Sequence, residues 1–168
     1  MKGNVKSQAW MMTLMTRSQL KLIPIVLLAM MQILGTPRVG RSGIPELIPL
    51  LKHQNESVRS TAIDELAKIG ESAIPYLIPL LKAKDPDYFS ELSSIYALGK
   101  IGKSAIPYLI PLLKVPDADV RRSATSALGL MGESAKVAIP YLIPLLKDPD
   151  EWVRYYTEST LAILGYRP

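Results

Sequence analysis

One ten-residue phrase is written four times in this chain, and no other feature limits the fold so tightly. It reads GIPELIPLLK at 43–52, then AIPYLIPLLK at 73–82, 105–114 and 138–147. The isoleucine that opens each copy stands at 44, 74, 106 and 139, so the spacings are 30, 32 and 33 residues. A recurrence at this length belongs to stacked helical repeats, in which one unit cannot bury its apolar face alone.

Within a copy, Ile74, Leu77, Ile78 and Leu81 fall at i, i+3, i+4 and i+7, one apolar stripe on a helix. Pro75 suits the first turn, where its missing N–H is not needed. Ser72 stands where an N-cap would. Pro79 lies in the body, where it removes a backbone bond, and it predicts a bend. The pair recurs as Pro45/Pro49, Pro107/Pro111 and Pro140/Pro144. A second helix follows a polar turn, with Asn55, Asp87, Asp117 and Asp150 as N-caps. Its apolar slots are Val58, Ala62, Leu66 and Ile69, then Val120, Ala124, Leu128 and Met131, then Val153, Thr157, Leu161 and Leu164. Each second helix runs into a glycine, Gly70, Gly102, Gly132 or Gly165, a usual stop because glycine accepts a left-handed backbone. These patterns predict helix pairs at 43–70, 73–102, 105–132 and 138–165, with Leu77, Ile78, Leu81, Leu98, Leu109, Leu128 and Leu142 buried.

The segments PDADVRRSATSALGLMG (116–132) and DPDEWVRYYTESTLAILG (148–165) resemble HEAT repeats, most closely the short repeats of cyanobacterial proteins related to bilin-lyase subunits. The resemblance runs from Gly43 to Gly165. It implies an all-α fold, an α-solenoid of four HEAT-like helix pairs, its first helices outside and its second helices lining a concave inner face; the residues before it add an N-terminal apolar helix. The resemblance also implies that an arginine after the valine slot pairs with a turn aspartate of the adjacent repeat. That slot reads Arg59, Glu91, Arg121 and Arg154, so repeat 2 breaks the series. Two readings of the break stand: drift, with Glu91 paired to Arg59 or Arg121, or a mark of the binding position.

The stretch 1–42 differs from the repeat array at 43–168. It holds Lys2, Lys6, Arg17, Lys21, Arg38 and Arg41 and no acid, a charge of +6 against +5 for the whole chain, which leaves −1 on the array. An array so close to neutral gives little electrostatic reason to bind nucleic acid. Leu22–Met31, LIPIVLLAMM, is ten apolar residues long, too short for a conventional membrane-spanning helix. It reads either as a signal core, with the protein exported or membrane-associated, or as a degenerate capping repeat on a cytoplasmic protein, since Met31–Gly35 aligns with Leu161–Gly165. With no cysteine, thiolate chemistry and disulfides are excluded. At the other end, Leu164–Pro168 offers no polar cap, which makes that face a candidate for self-association unless Tyr166 and Pro168 fold over it.

No catalytic constellation, metal-ligand cluster or cofactor motif is evident. His53 reads as a solvated turn residue, and the D-x-D pairs Asp85/Asp87, Asp117/Asp119 and Asp148/Asp150 read as helix caps. Tyr76, Tyr108 and Tyr141 share a first-helix slot and read as packing residues at repeat junctions. Leu92, Tyr96, Arg122, Ser126, Tyr155 and Ser159 occupy two second-helix slots four residues apart, hence adjacent rows of one face. With Glu91 they form the expected protein-binding surface, suited to apolar anchors carrying some negative charge. The expectation is a non-catalytic scaffold that binds protein. The alternative, carried by the resemblance alone, is a bilin-lyase-type subunit or phycobiliprotein chromophore chaperone.

Overall fold

The computed structural model describes residues 43–82 and 88–167, all within the unit Val39–Pro168. The expectations for 1–42, for Asp85 and Asp87 and for Pro168 lie outside the described residues. Among those described there are eight α-helices and no strand. The first helices are α1 (Ile44–Leu47), α3 (Ile74–Leu81), α5 (Ile106–Leu109) and α7 (Ile139–Leu142); the second are α2 (Glu56–Ile69), α4 (Tyr88–Ile101), α6 (Ala118–Leu130) and α8 (Glu151–Ile163). They form the four stacked pairs that the repeats require.

The inner prolines act as helix breakers in three copies and not in the fourth. After α1, α5 and α7 the chain tightens into 3₁₀ turns, Ile48–Lys52, Ile110–Lys114 and Ile143–Lys147, each with its proline in the first turn. A proline offers no N–H to the carbonyl four residues back, so the ladder changes pitch there. In α3 the helix runs through Pro79 unbroken. Ser72 is not the N-cap of α3: Ala73 holds that position without a side-chain bond, and Ser72 lies in the preceding 3₁₀ turn.

The second helices are capped as their sequences dictate. Asn55 Oδ1 accepts from Ser57 N at 2.8 Å, Asp117 Oδ1 from Asp119 N at 3.0 Å, and Asp150 Oδ1 from Val153 N at 3.0 Å. All four terminal glycines take positive φ, between 55° and 77°. At Gly165 the chain reverses: Tyr166 N donates to Leu161 O at 2.9 Å, and the Tyr166 ring packs on the core. Of the two residues in the folded-over alternative, Tyr166 alone is described.

One core runs through the pairs. Leu77, Leu81, Leu98, Leu109, Leu128 and Leu142 are buried, while Ile78, expected with them, is only half-buried at the edge of the stripe. Tyr76, Tyr108 and Tyr141 are 41–47% exposed, so they are not core. Lys114 of repeat 3 sits 5.8 Å from the Tyr141 ring of repeat 4, a junction contact made at the surface. Among the described residues no helix is long and apolar enough to cross a membrane.

Candidate functional site

The second helices α4, α6 and α8 lie side by side, and two glycines set how closely. A Cβ on Gly99 would stand 2.7 Å from Leu130 Cβ, and one on Gly129 would stand 2.7 Å from Thr160 Oγ1. Neither position admits a larger residue without movement, so neighbouring repeats approach at these two points. Thr160 Oγ1 also donates to Thr125 O at 3.2 Å, tying α8 to α6 through a buried bond. Two junctions earlier, Ser93 Oγ donates to Leu51 O at 2.9 Å and ties α4 to repeat 1.

The arginine slot behaves differently at each junction. Between repeats 3 and 4, Arg121 donates from Nε to Asp148 Oδ2 at 2.8 Å and from Nη2 to Asp148 Oδ1 at 2.7 Å. Its Nη1 donates to Val115 O at 2.9 Å and Pro116 O at 2.7 Å. The two side chains are almost wholly buried. The paired guanidinium holds the Asp148 carboxyl below its ordinary range, against the opposing effect of burial, with a further backbone bond from Asp150 N. Arg59 lies 4.2 Å over the Phe89 ring of repeat 2.

Glu91 pairs with neither Arg59 nor Arg121. Its carboxylate accepts from Ser123 Oγ and lies 3.7 Å from Arg122 Nη2. Arg122 is held more closely by Asp119, one turn back on α6, at 2.7 Å. The repeat 3 turn carries Val115 where repeat 4 carries Asp148, and Val115 packs against the core. The acceptor position thus lost its acid at the same junction where the donor position lost its arginine.

Across α4, α6 and α8 runs an open groove of about 480 Å³. Glu91, Leu92, Tyr96, Arg122, Ser126 and Ser159 line it, six of the seven residues named from sequence. Tyr155 does not. It stands 62% exposed beside the groove, edge-on to Trp152 at 6.1 Å and to Tyr156 at 5.6 Å. Beyond the two slots the groove walls are Tyr88, Leu130, Trp152, Tyr156 and Ile163, all exposed; Tyr88, Trp152 and Tyr156 stand out in the sequence as interface-type aromatics near the broken arginine slot, while Leu130 and Ile163 do not, and the buried lining includes Ile95, Gly129 and Thr160. His53 Nδ1 accepts from Asn55 N at 3.1 Å in the repeat 1 turn, as a solvated turn residue would. Among the described residues no cluster of His, Cys, Asp or Glu is arranged to hold a metal ion.

Stacked helix pairs, a continuous core and a groove across the second helices define an α-solenoid repeat protein. The family model for HEAT repeats matches residues 23–93 and 91–162, and the chain belongs to the HEAT-repeat family. No curated protein sequence matches it. Among solved structures it is similar to the complex of CpcE and CpcF of phycocyanin lyase from Nostoc sp. PCC7120, at 26% identity and a TM-score of 0.53, over 76% of this chain and 81% of that one. Two engineered proteins are also similar, at 22% and 23% identity, both with a TM-score of 0.43, over 75% and 71% of this chain and 38% and 62% of theirs.

Proposed function

We propose that this chain is a binding scaffold whose groove across α4, α6 and α8 takes an apolar, aromatic-bearing segment of a protein partner. The observation that carries this reading is the exposure of Tyr88, Tyr96, Leu130, Trp152, Tyr156 and Ile163 along one groove. Exposed large apolar side chains gathered in a concavity mark interaction sites, and tyrosine and tryptophan are the residues that interfaces favour. The charge requirement expected from sequence changes. Arg122 is already occupied by Asp119 and Glu91, so the groove calls for an uncharged segment rather than an acidic one. In this reading the chain binds and does not catalyse, and the near-neutral array supports a protein rather than a nucleic acid.

A second reading, a phycocyanin-lyase-type subunit that assembles with a second HEAT-repeat chain, is favoured by the similarity to the CpcE and CpcF complex. The two separate by experiment. Trp152→Ala and Tyr96→Ala in the full chain should abolish partner capture while leaving the thermal melt in place; capture equal to the native protein would refute the groove. Adding a free linear tetrapyrrole and recording its visible spectrum tests the second reading. A shift that Trp152→Ala removes would favour it, and an unchanged spectrum would count against it. For residues 22–35 we propose the capping repeat over the signal, supported by a family match that begins at residue 23, inside the apolar run. N-terminal sequencing of protein from its host should find Met1; a start near Thr36 would reject the cap.

A further inference from the structure

We propose that the outer side of α8 is a self-complementary docking surface, and that it takes a second copy of this chain across a twofold axis. The junction between repeats 3 and 4 shows how a second helix meets its successor. There α6 turns Arg121, Thr125 and Gly129 toward repeat 4: Arg121 grips Asp148, Thr125 O accepts from Thr160, and Gly129 gives Thr160 room. The same register on α8, set by Val120 and Val153, places Arg154, Glu158 and Ala162 on the side facing away from α6. Glu158 and Ala162 are exposed and Arg154 is half-buried.

Arg154 is held as Arg121 is held, by one corner. Its Nη1 donates to Asp148 O at 2.6 Å and Pro149 O at 3.0 Å. Arg121 then spends Nε and Nη2 on a carboxylate, whereas on Arg154 those two donors meet no partner among the described residues. A guanidinium fixed at one end with its two-pronged edge open is a ready receptor for a carboxylate. One turn on, Glu158 is an acid that no cation of the described chain pairs.

The two charges together choose the occupant. Another repeat stacked as repeat 4 stacks on repeat 3 would bury Glu158 where Thr125 now lies, fully enclosed, and an unpaired buried carboxylate is heavily penalised. Head-to-tail stacking of this chain's repeat 1 would bring His53, not an aspartate, to the position that Asp148 fills. A twofold axis crossing α8 between residues 154 and 158 satisfies both groups. It sets Arg154 of each copy against Glu158 of the other, in an isologous antiparallel pair. This inference is independent of the groove reading.

Sedimentation equilibrium of the full chain tests it. The native protein should show a monomer–dimer equilibrium that weakens as salt rises. Arg154→Glu and Glu158→Arg should each weaken the dimer by at least about tenfold, since each sets like charges opposite one another. The double variant should restore it, and an equal mixture of the two single variants should form a mixed dimer. Glu158→Arg should leave the melt unchanged because Glu158 is exposed, whereas Arg154→Glu also gives up two carbonyl bonds and should lower it, so the swap is judged on the double variant and the mixture. A native protein that stays monomeric overturns the proposal. So does a dimer indifferent to all three variants, or a double variant as weak as the singles.

Discussion

Two neighbouring junctions in this array solve one problem with opposite chemistry. Between repeats 3 and 4 the arginine slot is filled, and Arg121 with Asp148 makes a buried, two-pronged ion pair backed by two backbone carbonyls. Between repeats 2 and 3 both partners are replaced, Glu91 for the arginine and Val115 for the aspartate. What takes over is apolar packing at Val115 and a surface-side link from Glu91 to Ser123 and Arg122. A buried pair is strongly coupled: losing one member leaves the other charged and enclosed, while exchanging both for apolar residues costs little. A junction that lacks both members therefore still stacks, and the acid in its arginine slot lies on the groove wall.

Asp148→Ala should have the largest effect. Arg121 would stay buried without a counter-charge, so stability measured by urea unfolding at neutral pH should fall by about 3–5 kcal/mol. Glu91→Ala should cost no more than about 1 kcal/mol, because its link to Arg122 is long and partly solvated. Equal losses at the two sites would contradict the distinction. The Asp148 contribution should also depend on acid. Its folded pKa is lowered by Arg121, so the carboxylate stabilises the fold above the ordinary carboxylate value of about 4. The contribution drains away as pH falls through the lower folded value. The gap between native and Asp148→Ala stabilities should therefore narrow on acidification below about pH 4; a constant gap would mean that packing, not charge, holds that rung.

The close-approach glycines at the same two junctions meet neighbours of different stiffness. Gly99→Ala would press on Leu130 Cβ, which is anchored to its own backbone, and Gly129→Ala would press on Thr160 Oγ1, which can rotate away. The first should cost about 1–3 kcal/mol, as overpacking does. The second should cost less, because the Thr160 hydroxyl can rotate away; alanine's better helix propensity recovers up to about 1 kcal/mol at either site. Losing the Thr160 bond to Thr125 O keeps it from being neutral. Thermal melts of both variants order them, and a larger loss at Gly129 would reverse the argument.

Much of this was legible in the chain. Periodicity, caps and terminal glycines are local signals, and they place the helix pairs. The Arg121–Asp148 rung followed from the family resemblance. The glycines at 99 and 129 carried no such signal, because a mid-helix glycine acquires meaning only when a second helix is brought against it. Tyr155 stands beside the groove and not in it for the same reason: two rows four residues apart define a face, but which edge of that face becomes the groove depends on where α6 sits beside α8. Pro79 shows the limit from the other side, since its sequence context matches the prolines that do break their helices and yet α3 runs through it.

The smallest effect concerns repeat 4 alone. Thr157 fills the slot that Ala62 and Ala124 hold in other repeats, and it is fully buried. Its hydroxyl has no hydrogen-bond partner among the described residues. Elsewhere in these helices the hydroxyls of Ser94, Thr125 and Ser126 return to the carbonyl four residues back, at 2.7–2.9 Å. An enclosed hydroxyl without that bond carries a desolvation penalty that a methyl group does not. Thr157→Val keeps the shape and removes the penalty, so it should raise stability by about 1 kcal/mol. Thr157→Ala should gain less, because it also gives up a packed methyl. Urea unfolding of both variants against the native chain reads the difference. A Thr157→Val protein less stable than the native one would show that the hydroxyl is bonded, most simply to an enclosed water.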